Sequence, residues 1–594
     1  MEVMTKNRVS SAFLYVSLLA FILFVVYILF INQEVLYTAH DRSEFIYGAP
    51  FFHTLMSKPF GLVQYVGAWL TQFFYHPILG AGMLVAIWAL IFYVGTKAFQ
   101  LQRSASALML LPIACLLTSI VDLGYWIYIF SVRGYWFSQS LGYLAMLSLL
   151  WAARSTPRRS SSARVLQTGR KKWHLVWYLL AFCIYPVLGW FALLFMLCLM
   201  LTAKPSWREI LGIVLLVFTA GIWHVLLYSN QNFNDVMLAG MPRFITPIDS
   251  STHLSTPFWV LGVVSVLIPL SRKYLARRIV PVLCTAAGVI FTLSFMFHDR
   301  NYIDEMRMVR YAEADNWKEV INVAANNPEP TRTMVMLKNV ALMNEGGLLE
   351  RSFKLGNNCT DIYNPDSLHV SFLNIAAPLV FYNYGKMNYA IRLCYENAVA
   401  TGFSPFYMKL LARSARATEE EKLVERFTFL LHQHPFYGNW QPAVITEKVS
   451  ELHQSFADEI SGVDNNCEGY IIDNFSLSST NNHKIVSEQA LFYSMIRCDS
   501  HRFWASLRNY VELHPDAHFP LHAQEAYIMY LDKAPEEKRM MLPVEQSVYD
   551  RYKQFWAALE GHVKQGLKPE EISSKMCGQW KETYWYYNIF GNKI

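Results

Sequence analysis

Residues 11–31 read SAFLYVSLLAFILFVVYILFI, a run of 21 positions without one charged side chain. At 1.5 Å per residue a helix of this length spans the ~30 Å hydrocarbon core of a bilayer. A cleaved signal peptide would carry a shorter apolar stretch and a small-residue cleavage site. Here Phe, Leu and Val continue to Asn32 and Glu34, so the run reads as a retained membrane helix. Lys6 and Arg8 precede it, and basic flanks stay in the cytoplasm.

Further apolar stretches follow at Pro77–Val94, Ala105–Ile120, Trp136–Ala153, Leu211–Tyr228, Pro257–Leu270 and Ile279–Phe297. Trp173–Ala203 is too long for one span and is interrupted by Pro186 and Gly189, so it reads as a hairpin of two short helices. That makes nine crossings. The charges agree: with nine crossings, 17 of the 21 Lys and Arg residues in 1–298 fall on the cytoplasmic side, including Arg154–Lys172 and the cluster Arg272, Lys273, Arg277, Arg278. Only Arg42, Lys58, Arg133 and Arg243 fall outside. Basic residues set orientation, so everything after residue 298 is expected outside, in the periplasm of a bacterial inner-membrane protein.

Composition separates the same two halves. Of 594 residues 54% are hydrophobic and 16% charged, against roughly 25% charged in soluble proteins. Residues 1–298 hold 21 Lys and Arg but 8 Asp and Glu; of the chain's 51 and 45, this leaves 30 and 37 for residues 299–594. The basic half is the apolar one, so its cations orient spans and give no ground for a nucleic-acid partner. Nine cysteines are scattered without CxxC or zinc spacing. Five of them lie in the second half, an odd number that argues against a full disulfide framework.

Residues 299–594 carry helical patterns, and one recurs. Asp315-Asn316-Trp317-Lys318-Glu319-Val320-Ile321 runs to Pro328, Gly385-Lys386-Met387-Asn388-Tyr389-Ala390-Ile391 to Pro405, and His501-Arg502-Phe503-Trp504-Ala505 to Pro515. Glu421–Pro435 continues the series. Turn, aromatic, small residue, apolar stripe and proline stop resemble the second helix of a tetratricopeptide repeat. The expected fold class is therefore all-α: a transmembrane domain over 1–298 and a TPR-like α-solenoid over 299–594. A plain helical bundle is the alternative. Asp464–Asn482 reads as a loop, and Tyr584-Trp585-Tyr586-Tyr587 as an aromatic tail packed on the last helix or touching the membrane interface.

No GxxxxGK[ST], HExxH, GxSxG or strand-borne GxGxxG occurs. His174 and His224, the ionisable residues inside spans, read as helix-end or packed histidines. Chemistry is expected on the outer face. There the loop Asn32–His76 carries His40-Asp41-Arg42-Ser43-Glu44 and the uncharged aromatic stretch Phe60–Tyr75, which could lie in the interface or re-enter the bilayer. The next loop holds Asp122 and Arg133, and Ser229–Thr256 holds Asp235, Arg243, Asp249 and His253. Asp41 and Glu44 are the candidate catalytic carboxylates, as general base or as ligands of a divalent ion such as Mg or Mn. Arg42, Arg133, Arg243 and Asp122 are the candidate substrate-binding residues, since guanidinium pairs well with phosphate. The bland alternative is that these are solvated loop charges.

A cytoplasmic N-terminus, a long acidic first outer loop carrying Asp41-Arg42-Ser43-Glu44, many spans and an outer C-terminal domain resemble the polytopic GT-C glycosyltransferases. That resemblance implies a polyprenyl-phosphate-linked sugar donor and a catalytic acidic residue in the first outer loop. The segment departs from the usual Asp-x-Asp or Glu-x-Asp pair. The whole chain is also similar to an uncharacterised family of multi-pass membrane proteins from Bacteroidetes with helical-repeat C-termini, which implies an inner-membrane location and no activity. Two functions follow: a glycan-transferring enzyme in contact with membrane lipids, or a non-enzymatic scaffold whose solenoid recruits a protein or peptide of the cell envelope.

Overall fold

The run that opens the chain is made mostly of residues with nothing to hydrogen-bond except their own backbone, and it forms one helix, Glu2–Ile31. The structure is a computed structural model that describes residues 2–129, 132–155, 163–201, 207–241, 254–271, 279–327, 329–357, 373–455, 467–531 and 542–591. Among the described residues every regular element is helical and none is a strand. The chain divides into two units. The first comprises Met1–Asp299 with Ala398–Met408 and Phe429–Trp440; the second comprises Arg300–Asn397, Lys409–Thr428 and Gln441–Ile594.

In the first unit two helices among the described residues are long and apolar enough to cross a membrane, Ala12–Ile31 and Pro77–Ala98. A third is reached if Val280–Phe295 and Arg300–Glu313 count as one interrupted span. The sequence predicts nine. The difference lies in length: Ala105–Val121, Leu175–Leu188, Trp190–Leu201, Gly212–Leu226 and Thr256–Ser271 are apolar helices of 10–17 residues, shorter than the ~20 that a perpendicular span needs. Tyr135–Ser155 has 21 residues but mixes Ser, Gln and Tyr into its apolar sequence. The Trp173–Ala203 stretch breaks at Gly189, whose φ of +54° turns the chain between Ala163–Leu188 and Trp190–Leu201.

The opening helix buries one stripe, Leu14, Ser17, Phe21, Val25 and Ile28. It packs on Val280–Phe295, where Gly288 leaves room for the Phe21 ring. Its other faces expose Val16, Leu23, Tyr27 and Phe30, each more than 60% accessible. An apolar helix exposed on most of its circumference suits hydrocarbon and not water. Polar side chains join the helices inside: Trp88 Nε1 donates to Ser140 Oγ at 2.9 Å, Tyr143 and Ser265 share a 2.9 Å hydroxyl bond, and Thr118 donates to Thr292 at 3.2 Å. The uncharged stretch after Phe60 folds as the helix Gly61–Thr71 and the 3-10 turn Gln72–Tyr75. It packs on Tyr135–Ser155.

In the second unit sequence neighbours pair: Arg300–Glu313 with Trp317–Ala325, Trp317–Ala325 with Arg332–Glu345, Cys467–Ser476 with Lys484–Ile496, and Lys484–Ile496 with Ser500–Leu513. The recurring pattern has one backbone cause. Asp315, Gly385, Glu419 and Cys498 all have φ between +54° and +73°, and a helix begins two residues after each, at Trp317, Met387, Glu421 and Ser500. At each site the next amide closes back five residues: Asn316 to Tyr311, Lys386 to Phe381, Glu420 to Ala415 and Asp499 to Ser494. This is the Schellman closure of a helix C-terminus. Gly385 and Glu419 stand 34 residues apart. The aromatics Trp317, Tyr389, Phe503 and Trp504 are buried at the starts of their helices. One reading is adjusted here. Cys467–Ser476, predicted as loop, is a helix, because Tyr470, Ile471, Ile472 and Phe475 give it an apolar stripe amid Asn and Ser. The tail Tyr584–Phe590 is a helix with Tyr584 and Trp585 fully buried. The Trp585 indole N–H donates to the Glu525 carbonyl at 2.8 Å.

Candidate functional site

The short helix Gln33–Asp41 follows the opening helix with only Asn32 between. Its end carries the candidate segment 40–44 into the interior of the first unit. Glu44 is about one-sixth exposed and accepts from Arg133 Nε at 3.1 Å. The two residues are 89 positions apart, on the two loops that the sequence assigns to one face. The turn at 402 closes over them. Gly402 has φ +109°, and a Cβ there would lie 2.5 Å from both Arg133 Nη2 and Glu44 Oε2. Glycine alone fits this position.

Arg42 lies among rings. Its guanidinium carbon is 3.5 Å from the Phe406 centroid, 5.3 Å from Tyr407 and 5.5 Å from Tyr128, a cation–π arrangement. Asp41 is buried. Asp122 caps the end of Leu110–Val121, is buried, and keeps both carboxyl oxygens without a hydrogen-bond partner. Structure thus brings Glu44 and Arg133 together and holds Arg42 against aromatic faces. Arg243, Asp249 and His253 lie outside the described residues, as does the side chain of His174. His224 packs on Phe233 at 5.6 Å.

One polar cluster escapes a reading of the sequence. His40 Nδ1 lies 3.1 Å from Gln72 Oε1, His40 Nε2 lies 3.1 Å from the Tyr437 hydroxyl, and His434 Nε2 lies 2.6 Å from the same Gln72 oxygen. All four side chains are buried. Gln72 Nε2 donates to the Ala68 carbonyl at 2.9 Å, which fixes the amide orientation and leaves Oε1 to accept. His40 Nδ1 and His434 Nε2 therefore carry hydrogens toward it. Tyr75 and Phe436 stack beside them at 5.1 Å. The run His432-Gln433-His434-Pro435-Phe436-Tyr437 is the only local hint, and nothing in one sequence joins it to His40.

Among the described residues no group of three or more His, Cys, Asp or Glu is arranged to hold a metal ion. The Glu44–Arg133 pair is thus part of no such group, and a carboxylate already paired with a guanidinium is a poor ligand set for Mg or Mn. All eight described cysteines are free thiols.

These features define an all-helical chain with a lipid-compatible first unit, a helical-hairpin second unit and buried polar clusters in both. The chain belongs to a family of unknown function, DUF6057, whose model matches residues 7–591. No curated protein and no solved structure matches it.

Proposed function

We propose that the chain is a multi-pass bacterial inner-membrane protein that crosses the bilayer about nine times, with its N-terminus cytoplasmic and a TPR-like domain in the periplasm. In this reading it transfers a sugar from a polyprenyl-phosphate-linked donor on the periplasmic face. Short helices cross where local thinning of the bilayer accommodates them, and the 34-residue interval between Schellman turns supports the TPR-like reading.

The observation that carries the enzymatic reading is the Glu44–Arg133 pair just beyond the opening helix. A donor phosphate competes with Glu44 for the Arg133 guanidinium. Once displaced, Glu44 is free to take the proton of an acceptor hydroxyl. The hydroxyl oxygen forms its bond to the sugar's anomeric carbon, the bond from that carbon to phosphate breaks, and the leaving phosphate keeps the electron pair against Arg133. The base is then Glu44, with the buried Asp41 positioning the segment. Arg42, held by Phe406 and Tyr407, anchors the loop.

The second reading is the scaffold, in which the membrane unit only holds the TPR-like domain for an envelope partner. It is favoured by the tight cover of Gly402 over the ion pair. A charge exchange separates the two. The double variant Glu44→Arg with Arg133→Glu keeps an ion pair but removes the base from its loop. Under the enzymatic reading Glu44→Gln and the double variant both lose the envelope glycan at normal membrane abundance. Recovery of function in the double variant would defeat the enzyme and support the scaffold.

A further inference from the structure

Among the described residues Asp122 alone has both carboxyl oxygens buried without a hydrogen-bond partner. An ionised carboxylate left so costs several kcal/mol unless it is paired or takes up a proton. The surroundings supply no pairing. Tyr125 comes from the 3-10 turn Gly124–Ile129, and Tyr135 opens the helix Tyr135–Ser155, its hydroxyl donating to the Ser119 carbonyl at 2.8 Å. Thr256–Ser271 sends Phe258 against Tyr135 at 6.0 Å. Val280–Phe295 brings Thr292 to Thr118, and Phe297 follows it. The titratable neighbours are thus phenols, and no basic side chain acts on Asp122; burial pushes its carboxyl well above the usual carboxylate range.

The position is also a join. Phe297 N–H donates to the Val121 carbonyl at 2.9 Å, one residue before Asp122. The Phe297 ring covers Gly124 and meets Tyr125 edge-on at 5.8 Å. We propose that Asp122 is a reversible proton-binding site whose occupancy holds Phe297 against the end of the Leu110–Val121 helix. The neutral acid tolerates the aromatic cover. Loss of the proton to water leaves a carboxylate that must be hydrated, and water reaches it only when Phe297 and Tyr125 part. The join is therefore closed while the proton is bound, loosens as pH rises above the ordinary carboxyl range, and is fully loosened once pH passes the folded-state pKa. The stabilisation is fully present below the ordinary carboxyl pKa of the unfolded chain and is lost on the alkaline side.

The test uses the full chain in nanodiscs. Infrared spectra of the wild type minus Asp122→Asn should contain a protonated-carboxyl band that persists above the ordinary carboxylate range and disappears on further alkaline titration. Hydrogen exchange of the peptide containing Phe297, corrected for its base-catalysed intrinsic rate, should accelerate about tenfold per pH unit from the ordinary carboxyl range up to that midpoint and level off above it, as release of one proton on opening requires. In Asp122→Asn the corrected rate should be independent of pH. A difference spectrum without that band, or exchange that ignores pH in the wild type, overturns the proposal, and the wild-type exchange measurement stands even if the variant does not fold. Neither readout involves sugar transfer, so the proposed enzymatic activity can fail while this site stands.

Discussion

Two helices of nearly opposite design occur in this chain. Ala12–Ile31 buries one stripe and exposes Val16, Leu23, Tyr27 and Phe30. Ser500–Leu513 buries Phe503, Trp504, Leu507 and Tyr510 and turns His501, Ala505 and Arg508 outward. Both bury an apolar stripe at helical spacing. They differ in what faces away from it, and that outer face reports the solvent: hydrocarbon for the first, water for the second. The polar groups follow the same division. In the first unit Glu44–Arg133 is a half-buried pair between distant loops. In the second, Arg413 donates to both oxygens of Asp315 at 3.0 and 2.9 Å, and Lys409 pairs with Glu313, so charges fasten one helix hairpin to another.

The comparison can be pressed hardest at the tail. Trp585→Ala removes a fully buried indole from the second unit and should cost about 3–5 kcal/mol, read as a large fall in the denaturation midpoint of the purified chain. A loss under 1 kcal/mol would mean that the tail is not part of that core. Next in size is Leu23→Arg on the exposed face of the opening helix. Placing Arg near the centre of a span costs about 2.5–3.5 kcal/mol, so alkaline carbonate should extract more of the variant from membranes. The converse change, Arg508→Leu on the water-facing side, should alter stability by no more than about 0.5 kcal/mol. Equal effects at the two positions would erase the distinction between the solvents.

Gly402→Ala comes third. Its methyl would press on Arg133 and Glu44 at 2.5 Å at a backbone angle that disfavours alanine, for about 1–3 kcal/mol of destabilisation. The effect should shrink in an Arg133→Ala background, where the contact with the guanidinium is gone; undiminished loss would show that the guanidinium takes no part in it. The smallest effect belongs to a helix cap. The Asp499 side chain accepts from the His501 and Arg502 amides at 2.9 and 3.1 Å, and Asp499→Ala should cost about 1 kcal/mol in a thermal melt, with no change in membrane extraction.

Much of the architecture was legible in residue order, because it depends on local physics. The uncharged run at 11–31 needs no partner to be recognised as a helix for lipid, and the turn–aromatic pattern before Trp317, Met387 and Ser500 marks helix starts because each follows a backbone-closed C-terminus. The helix Cys467–Ser476 was obscured by the Asn and Ser around it; its apolar residues count only once Lys484–Ile496 lies alongside. The break at Gly189 in Trp173–Ala203 was legible as well; the count of nine crossings was not, since five of the apolar helices among the described residues are shorter than a perpendicular span.

The candidate site divides in the same way. Residue types and loop placement singled out Glu44 and Arg133, but that they meet at 3.1 Å, and that Arg42 is spent on Phe406 and Tyr407, depends on a turn some 360 residues later in the chain. His40, Gln72, His434 and Tyr437 were invisible as a group for that reason: a hydrogen bond between residues 397 apart leaves no local periodicity. By itself the sequence determined that the chain is helical and that its opening run suits lipid, since these follow from side-chain polarity at helical spacing. Only the tertiary structure decided which charges neutralise one another and which, like Asp122, are left without a partner, because burial and pairing depend on what packing brings within a few ångströms.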